Sequence, residues 1–124
     1  MASGKLQRQN AGDIVYSQNN SAAVEVENGS AAELSTLNLP SGHWVVIGCV
    51  DWQANANGYR QASFYSGTNP VRNGAVTAEG LDGKETYQQI VTIAGGDTTI
   101  TLYGRQNSGV SINAHPYLYA IRIS

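Results

Sequence analysis

Short stretches in which apolar and polar residues alternate recur along most of the chain. Val24 and Val26 alternate with Glu25 and Glu27, and Ile100 and Leu102 alternate with Thr99, Thr101 and Tyr103. Side chains of a β-strand point in turn to opposite faces, so a two-residue period predicts strands that bury one face. No segment of ten or more residues repeats its apolar positions at helical spacing. The pattern predicts an all-β protein.

The segment from His43 to Trp52 departs from this alternation, because nearly all its residues are apolar, β-branched or aromatic. A strand that is apolar on both faces is typical of the centre of a covered sheet. We therefore predict that this segment is a central strand enclosed within a sandwich.

Turn-forming dipeptides separate the predicted strands. Asn and Gly tolerate the positive φ that two-residue hairpin turns require, so Asn-Gly and Asp-Gly are strong hairpin signals. Four such dipeptides occur: Asn28-Gly29, Asn57-Gly58, Asn73-Gly74 and Asp82-Gly83.

Further breaks lie at residues 95–97 and 107–109. This spacing predicts an antiparallel sandwich of eight to ten strands, forming a single domain over residues 13–124. Residues 1–12 are polar, and we predict that they form a flexible lead or a junction to a stalk.

The chain carries little charge for its length. Its 124 residues include 7 Lys and Arg and 9 Asp and Glu, so charged residues reach 13% and the net charge is −2, whereas an average soluble domain has about 25% charged residues. This balance excludes a basic nucleic-acid surface. The longest apolar stretch is too short to insert into a membrane, and no signal peptide is predicted, which indicates synthesis in the cytoplasm. So little charge gives little protection against association and therefore favours self-assembly.

The sequence shows no recognisable metal-binding or nucleophilic motif. His43 and His115 have no thiol, carboxylate or second histidine at ligand spacing, so we predict no zinc site and no cofactor. The single cysteine, Cys49, lies within an apolar strand, where a buried small side chain is a simpler interpretation than a reactive thiolate.

Glycoside hydrolysis is the enzymatic alternative, because it requires only two carboxyl groups at a suitable separation. Asp51, Glu79 and Asp97 could supply such a pair, but the sequence does not give the distances between them. We predict that the chain is not an enzyme, and a carbohydrate-active enzyme is the least favoured interpretation.

Tyrosine and tryptophan dominate the aromatic residues, with 7 Tyr and 2 Trp against a single Phe. These rings combine an apolar body with a polar tip, which suits ligand surfaces and subunit contacts, although they can also fill the sandwich. The ligand-binding candidates, chosen near turns and strand ends, are Trp52, Tyr59, Arg60, Tyr65, Arg72, Arg105 and Asn107.

Three segments, in the same order, resemble a family of jelly rolls. Residues 39–46 (LPSGHWVV) resemble the opening of the central strand in tumour-necrosis-factor-like and complement-globular-head-like domains. Residues 96–103 (GDTTITLY) are similar to their Gly-Asp-x-apolar strand, and residues 117–123 (YLYAIRI) resemble their closing strand. The ordered set covers residues 37–124 and looks like the small jelly-roll tips of bacteriophage tail fibres.

The resemblance implies a homotrimer located in a virion, whose exposed loops bind a receptor on the bacterial surface, such as a carbohydrate or a protein. By position, it makes Tyr103, Tyr117 and Tyr119 candidates for the trimer interface. It also makes the loops at residues 55–59, 67–72 and 106–108 candidates for recognition.

Two non-enzymatic hypotheses follow from the resemblance. The first is a trimeric receptor-binding head at the tip of a phage or prophage fibre. The alternative is a virion structural or decoration protein that binds capsid or fibre partners.

Overall fold

The computed structural model describes residues 16–19, 22–79 and 84–124. These residues form nine β-strands, and every pairing between them is antiparallel. The strands are β1 (Tyr16–Asn19), β2 (Val24–Val26), β3 (Ala31–Leu39), β4 (His43–Trp52), β5 (Tyr59–Ser66), β6 (Asn69–Glu79), β7 (Thr86–Gly95), β8 (Thr98–Gln106) and β9 (Ile112–Arg122). The predicted lead at residues 1–12 lies outside the described residues.

The nine strands form two sheets with the topology of a jelly roll. The first sheet has the order β1-β9-β4-β7, with β2 following β1 along the same edge of β9, and the second has the order β3-β8-β5-β6. Successive strands lie in different sheets, except that β1 and β2 share one sheet and β5 and β6 form a hairpin. This crossing between two packed sheets distinguishes a jelly roll from a meander. The predicted antiparallel jelly-roll sandwich is confirmed.

Strand β4 has the predicted bounds, His43–Trp52, and the predicted central place between β7 and β9. Its inward positions alternate and are nearly inaccessible, with Trp44 1% and Val46 0% exposed. They pack with Phe64 of β5 and Leu102 of β8 in one core cluster between the sheets. Burial of such side chains contributes about 1.5–3 kcal/mol each to folding.

The predicted hairpin turns are correct in position at two places but wrong in what they connect. Gly29 and Gly58 have φ angles of 77° and 70°, as tight turns require. Each of these turns, however, leads from the first sheet to the second, so neither closes a hairpin. The residues of a turn specify where the chain reverses. Which strand the next segment pairs with depends instead on residues far away in the sequence.

The predicted turn at Asn73-Gly74 is wrong, because both residues lie within β6. They occupy a segment where the register of β6 against β5 shifts, which is a common use of glycine inside a strand. The hairpin between β5 and β6 turns instead at Gly67, whose φ is 62°. The remaining predicted turn, Asp82-Gly83, lies outside the described residues.

Buried neutral amides connect the two sheets. The Gln88 side chain accepts a hydrogen bond from Trp52 Nε1 at 2.7 Å and donates one to the carbonyl of Arg60 at 2.9 Å. The Gln106 side chain donates to the carbonyls of Val26 and Val110. Both glutamines lie at strand positions that face inward, where a charged residue would lose more hydration.

No helix within residues 16–19, 22–79 and 84–124 is long and apolar enough to cross a membrane.

Candidate functional site

The outer face of the first sheet is apolar over three adjacent strands. We call this surface the apolar face, and it comprises Val45, Ile47 and Cys49 of β4, Val91 and Ile93 of β7, and Tyr117, Tyr119 and Ile121 of β9. The strand register places these side chains in rows across the sheet. Ile121, Val45 and Ile93 form one row, and Tyr119, Ile47 and Val91 form the next.

Several side chains of the apolar face are open to solvent, including Ile93 at 58% and Val91 at 52% exposure. Antiparallel sheets that face water on one side normally carry polar residues there. From strand spacing and rise, the face covers roughly 300 Å². The largest apolar patch on a typical monomer covers about 300–600 Å² and is often functional, so this face is a candidate interaction site.

Cys49 is only 6% exposed, as predicted for a buried residue, but it lies on this outer face and outside the core cluster. Neighbouring side chains cover it. The Tyr87 hydroxyl is hydrogen-bonded to the Cys49 thiol; this bond, followed by partial burial, raises the pKa of Tyr87 from 10.0 to about 12.

A cleft of about 220 Å³ lies at one end of the apolar face, with Asp51, Gln53, Glu85, Asn113 and His115 among its lining residues. The His115 ring stacks on Tyr117, with ring centroids 5.1 Å apart. A hydrogen bond to Asp51, reinforced by repulsion between the two negative charges, raises the pKa of Glu85 above 4.5.

Two of the three carboxylates considered for hydrolysis, Asp51 and Asp97, do not form a pair. Asp51 is near the end of β4, whereas Asp97 lies beside Gly42 and Leu39 at the opposite end. The Glu79 side chain lies outside the described residues. The partner that Asp51 does have, Glu85, is within hydrogen-bonding distance, whereas retaining and inverting glycosidases separate their carboxyl groups by about 5 Å or more.

We expect Glu85→Gln to raise thermal stability at pH 7 and to leave it nearly unchanged at pH 4. A carboxyl whose pKa is raised on folding binds its proton more tightly in the folded state, so stability falls as the pH rises past 4.5. The amide keeps a hydrogen-bond donor toward Asp51 without the second charge. Melting temperatures at both pH values test this, with the exposed Glu25→Gln as the charge-matched control; equal shifts for the two variants would contradict it.

The outer face of the second sheet has the opposite character. Its outward positions are mainly polar, and β5, β8 and the start of β3 border a groove of about 290 Å³. We call this the polar groove, and it is lined by Ala31, Gln61, Ser63, Tyr65, Tyr103, Gly104 and Arg105. Inside it, Tyr65 and Tyr103 meet edge to face with their ring centroids 4.9 Å apart.

The structure separates the predicted ligand-binding residues into accessible and buried ones. Tyr65 and Arg105 lie together in the polar groove. Tyr59 and Asn107 meet elsewhere, where the Asn107 side chain accepts a hydrogen bond from the Tyr59 amide at 2.7 Å. This bond ties the loop before β5 to the loop after β8. The side chain of Arg72 lies outside the described residues.

Trp52 and Arg60 require a correction, because both are 0% exposed and cannot form part of an open ligand surface. Trp52 is held by Gln88 in the core. The Arg60 guanidinium donates to the carbonyls of Asn55 and Asn57 and so fixes the loop between β4 and β5. Their position beside a turn suggested exposure, but both point inward from their strands.

The three tyrosines predicted for the trimer interface lie on two different surfaces. Tyr117 and Tyr119 belong to the apolar face, whereas Tyr103 lies in the polar groove on the other side of the sandwich. Sequence reasoning missed Val91 and Ile93 as surface residues. The sequence contained an indication of this surface, because residues 87–93 have apolar side chains in both sets of alternate positions, so one set had to lie on the outer face.

No group of three or more His, Cys, Asp or Glu side chains suited to a metal ion occurs among the described residues.

Comparison with known proteins adds little to this description. No family model matches the sequence, and no curated protein matches it. One similar solved structure concerns Bacillus endospore appendages that form disulfide-linked pili, at 12% identity and a TM-score of 0.49, covering 98% of this chain and 100% of that one. Another is the virus-like particle of the extra small virus of the giant freshwater prawn Macrobrachium rosenbergii, at 14% identity and a TM-score of 0.28, covering 94% and 86%. Similarity this low carries no argument about function.

Proposed function

We propose that the chain is a non-enzymatic, self-assembling jelly-roll head, in which three copies cover their apolar faces around a common axis and present their polar surfaces to a receptor. The observation that carries this proposal is the contrast between the two outer faces of the sandwich. One face is apolar across three strands, and the other is polar.

The chemistry of the apolar face favours burial against copies of the same chain. None of its eight defining residues carries a formal charge, so covering them leaves no ion without its hydration. Standard interfaces bury about 800 Å² per partner, which is more than this face supplies, so polar neighbours such as Gln89 and His115 would form the rim.

The difference between the two faces favours a closed assembly. Once the apolar faces are covered, the described outer face of the second sheet is mainly polar and offers no second apolar face to a further copy, so association stops instead of continuing into a fibre. A threefold arrangement is the one that the resemblance to tumour-necrosis-factor-like and phage tail-fibre jelly rolls implies. In that setting the head would belong to a virion and would be joined to other fibre proteins.

The absence of enzymatic activity is part of the proposal and is supported by the polar groove. Its lining residues include no Asp, Glu, His or Cys, and its two tyrosines pack against each other, so the groove has no thiol and no carboxyl or imidazole group for general acid–base catalysis. Such a surface can bind a ligand without transforming it.

We expect Val91→Lys to convert the assembly into monomers. The molar mass of the wild-type protein measured by light scattering should be about three times the 13.2 kDa of one chain. A lysine on the apolar face would lose its hydration if copies associated there, and this cost favours the monomer. Val110→Lys is the matched control, because Val110 is 55% exposed, against 52% for Val91, and lies in the loop between β8 and β9.

Multi-angle light scattering of the three proteins at equal concentration decides the matter. A monomeric wild type, or a Val91→Lys protein that remains trimeric, would contradict self-assembly through the apolar face. The receptor arm is measured separately by adding fluorescently labelled protein to a panel of bacterial strains. Wild type should label a subset of strains and Val91→Lys should label them more weakly, because it has lost its multivalency; a trimer that labels no strain would overturn the receptor role.

A further inference from the structure

The polar groove combines two kinds of chemistry within one small depression. The edge-to-face pair of Tyr65 and Tyr103 supplies an aromatic wall, and Gln61 and Ser63 supply neutral hydrogen-bonding groups. Its volume of about 290 Å³ is at the lower end for ligand sites, which run to about 1,000 Å³. A ligand of this size is one small unit rather than an extended chain.

Arg105 gives the groove a single cationic end. Its side chain is exposed, and one terminal nitrogen donates to the carbonyl of Gly29 at 3.1 Å, which orients the guanidinium. In the strand register Arg105 lies between Ala31 and Gln61, and the carboxylate of Glu33 lies opposite Tyr103 instead. The guanidinium carries five donors, so most remain available to a ligand.

We infer that the polar groove binds a saccharide unit that bears a carboxylate, such as a uronic or sialic acid residue. A sugar ring packs its C–H face on an aromatic side chain, its hydroxyl groups pair with neutral amides and hydroxyls, and its carboxylate matches the planar guanidinium in a two-point contact. A neutral sugar would offer no anion to the Arg105 donors that the Gly29 carbonyl does not use, and an apolar peptide would offer no hydrogen bonds to Gln61 and Ser63.

This inference rests on the proposed function, because a receptor-binding head must keep its ligand surface open after assembly. The polar groove lies on the opposite side of the sandwich from the apolar face, so covering one leaves the other accessible. Three copies in one particle would multiply a weak single contact.

The test is an array of oligosaccharides that end in glucuronic, galacturonic or sialic acid, each beside a neutral counterpart, probed with labelled wild-type protein. We expect at least one acidic member to bind about tenfold or more tightly than its neutral partner. Arg105→Gln should reduce that binding about tenfold or more, since hydrogen bonds to charged groups are among the strong ones. Arg122→Gln is the matched control, because Arg122 lies in β9 of the first sheet.

Tyr103→Leu should also weaken binding while the circular dichroism spectrum stays that of the wild type. Equal binding of acidic and neutral sugars, binding of none, or unchanged binding by Arg105→Gln would overturn the inference. Monomeric Val91→Lys separates the two proposals, because titration calorimetry with the best acidic sugar should give the same single-site affinity as wild type. If the wild type is a trimer but binds no acidic sugar, only the inference about the polar groove is contradicted. If the wild type is a monomer but binds an acidic sugar, only the proposed trimer is contradicted.

Discussion

Replacing Gly48 with valine should destabilise the protein by about 3 kcal/mol or more, a large part of the typical 5–15 kcal/mol of a folded domain. Gly48 is in the middle of β4 and faces inward between the two sheets. A Cβ atom there would lie 2.9 Å from the Phe64 ring and 3.2 Å from Leu102. Both neighbours are fully buried, so neither can move without disturbing the core.

Gly95 is the matched control for this substitution. It also lies in the first sheet, opposite His43, but a Cβ atom added there would meet nothing within 4 Å. Gly95→Val should therefore be neutral or slightly stabilising, since β-branched residues suit strands better than glycine. Urea unfolding at a fixed protein concentration measures both variants, because association also contributes to stability. Equal losses for the two valines would refute the close approach of the sheets at Gly48.

Replacing Gln106 with leucine should cost about 3 kcal/mol of folding stability. This side chain is 0% exposed and makes three hydrogen bonds with the backbone. Its amide donates to the carbonyls of Val26 and Val110 at 2.9 and 2.8 Å, and its oxygen accepts from the Ser108 amide at 2.7 Å. Leucine has a similar size but removes all three bonds, and the Val110 carbonyl then keeps only the bond from the Ser108 hydroxyl at 3.0 Å.

The control for this prediction is Gln61→Leu, because Gln61 is half-buried on the outer face and its amide makes a longer bond of 3.4 Å to Thr77. That variant should lose well under 1 kcal/mol. Gln106→Glu adds a second signature, because the carboxylate would face two carbonyls at pH 7 and should be less destabilising near pH 4, where it is protonated. A Gln106→Leu protein that unfolds at the wild-type urea concentration would contradict the structural role of this amide.

The two buried glutamines sharpen the meaning of the low charge content. Gln88 and Gln106 connect sheets and loops through neutral amides in places where an ion pair would lose its hydration. The chain therefore satisfies buried backbone groups with few charged residues, and Arg60 is the one buried charged side chain among those described. The interior and the apolar face therefore both contain few charged side chains.

Local patterns predicted the strands well where the pattern had only one interpretation. Strand β4 was predicted with its observed ends, because its ten residues are nearly all apolar, β-branched or aromatic and are flanked by Gly42 and Gln53. The turns at Gly29 and Gly58 were also located, because few residues adopt a positive φ. By contrast, the dipeptide at Asn73-Gly74 was mistaken for a turn, since glycine serves a register shift in a strand equally well.

The candidate surfaces depended on information that local sequence does not contain. A two-residue period divides a strand into two sets but does not say which set faces the core, and in β7 both sets contain apolar residues. Trp52 and Arg60 were expected at the surface because they lie near a turn, and they proved to be buried.

The sequence by itself determined an all-β chain, most of its strands and a low-charge composition that favours association. Only the tertiary structure decided which face of each strand is buried, and therefore that Val91 and Tyr117 share an outer surface while Tyr65 and Arg105 share the opposite one. The physical reason is that strand pairing joins segments far apart in the chain, such as β4 with β9, and these long-range contacts assign inside and outside.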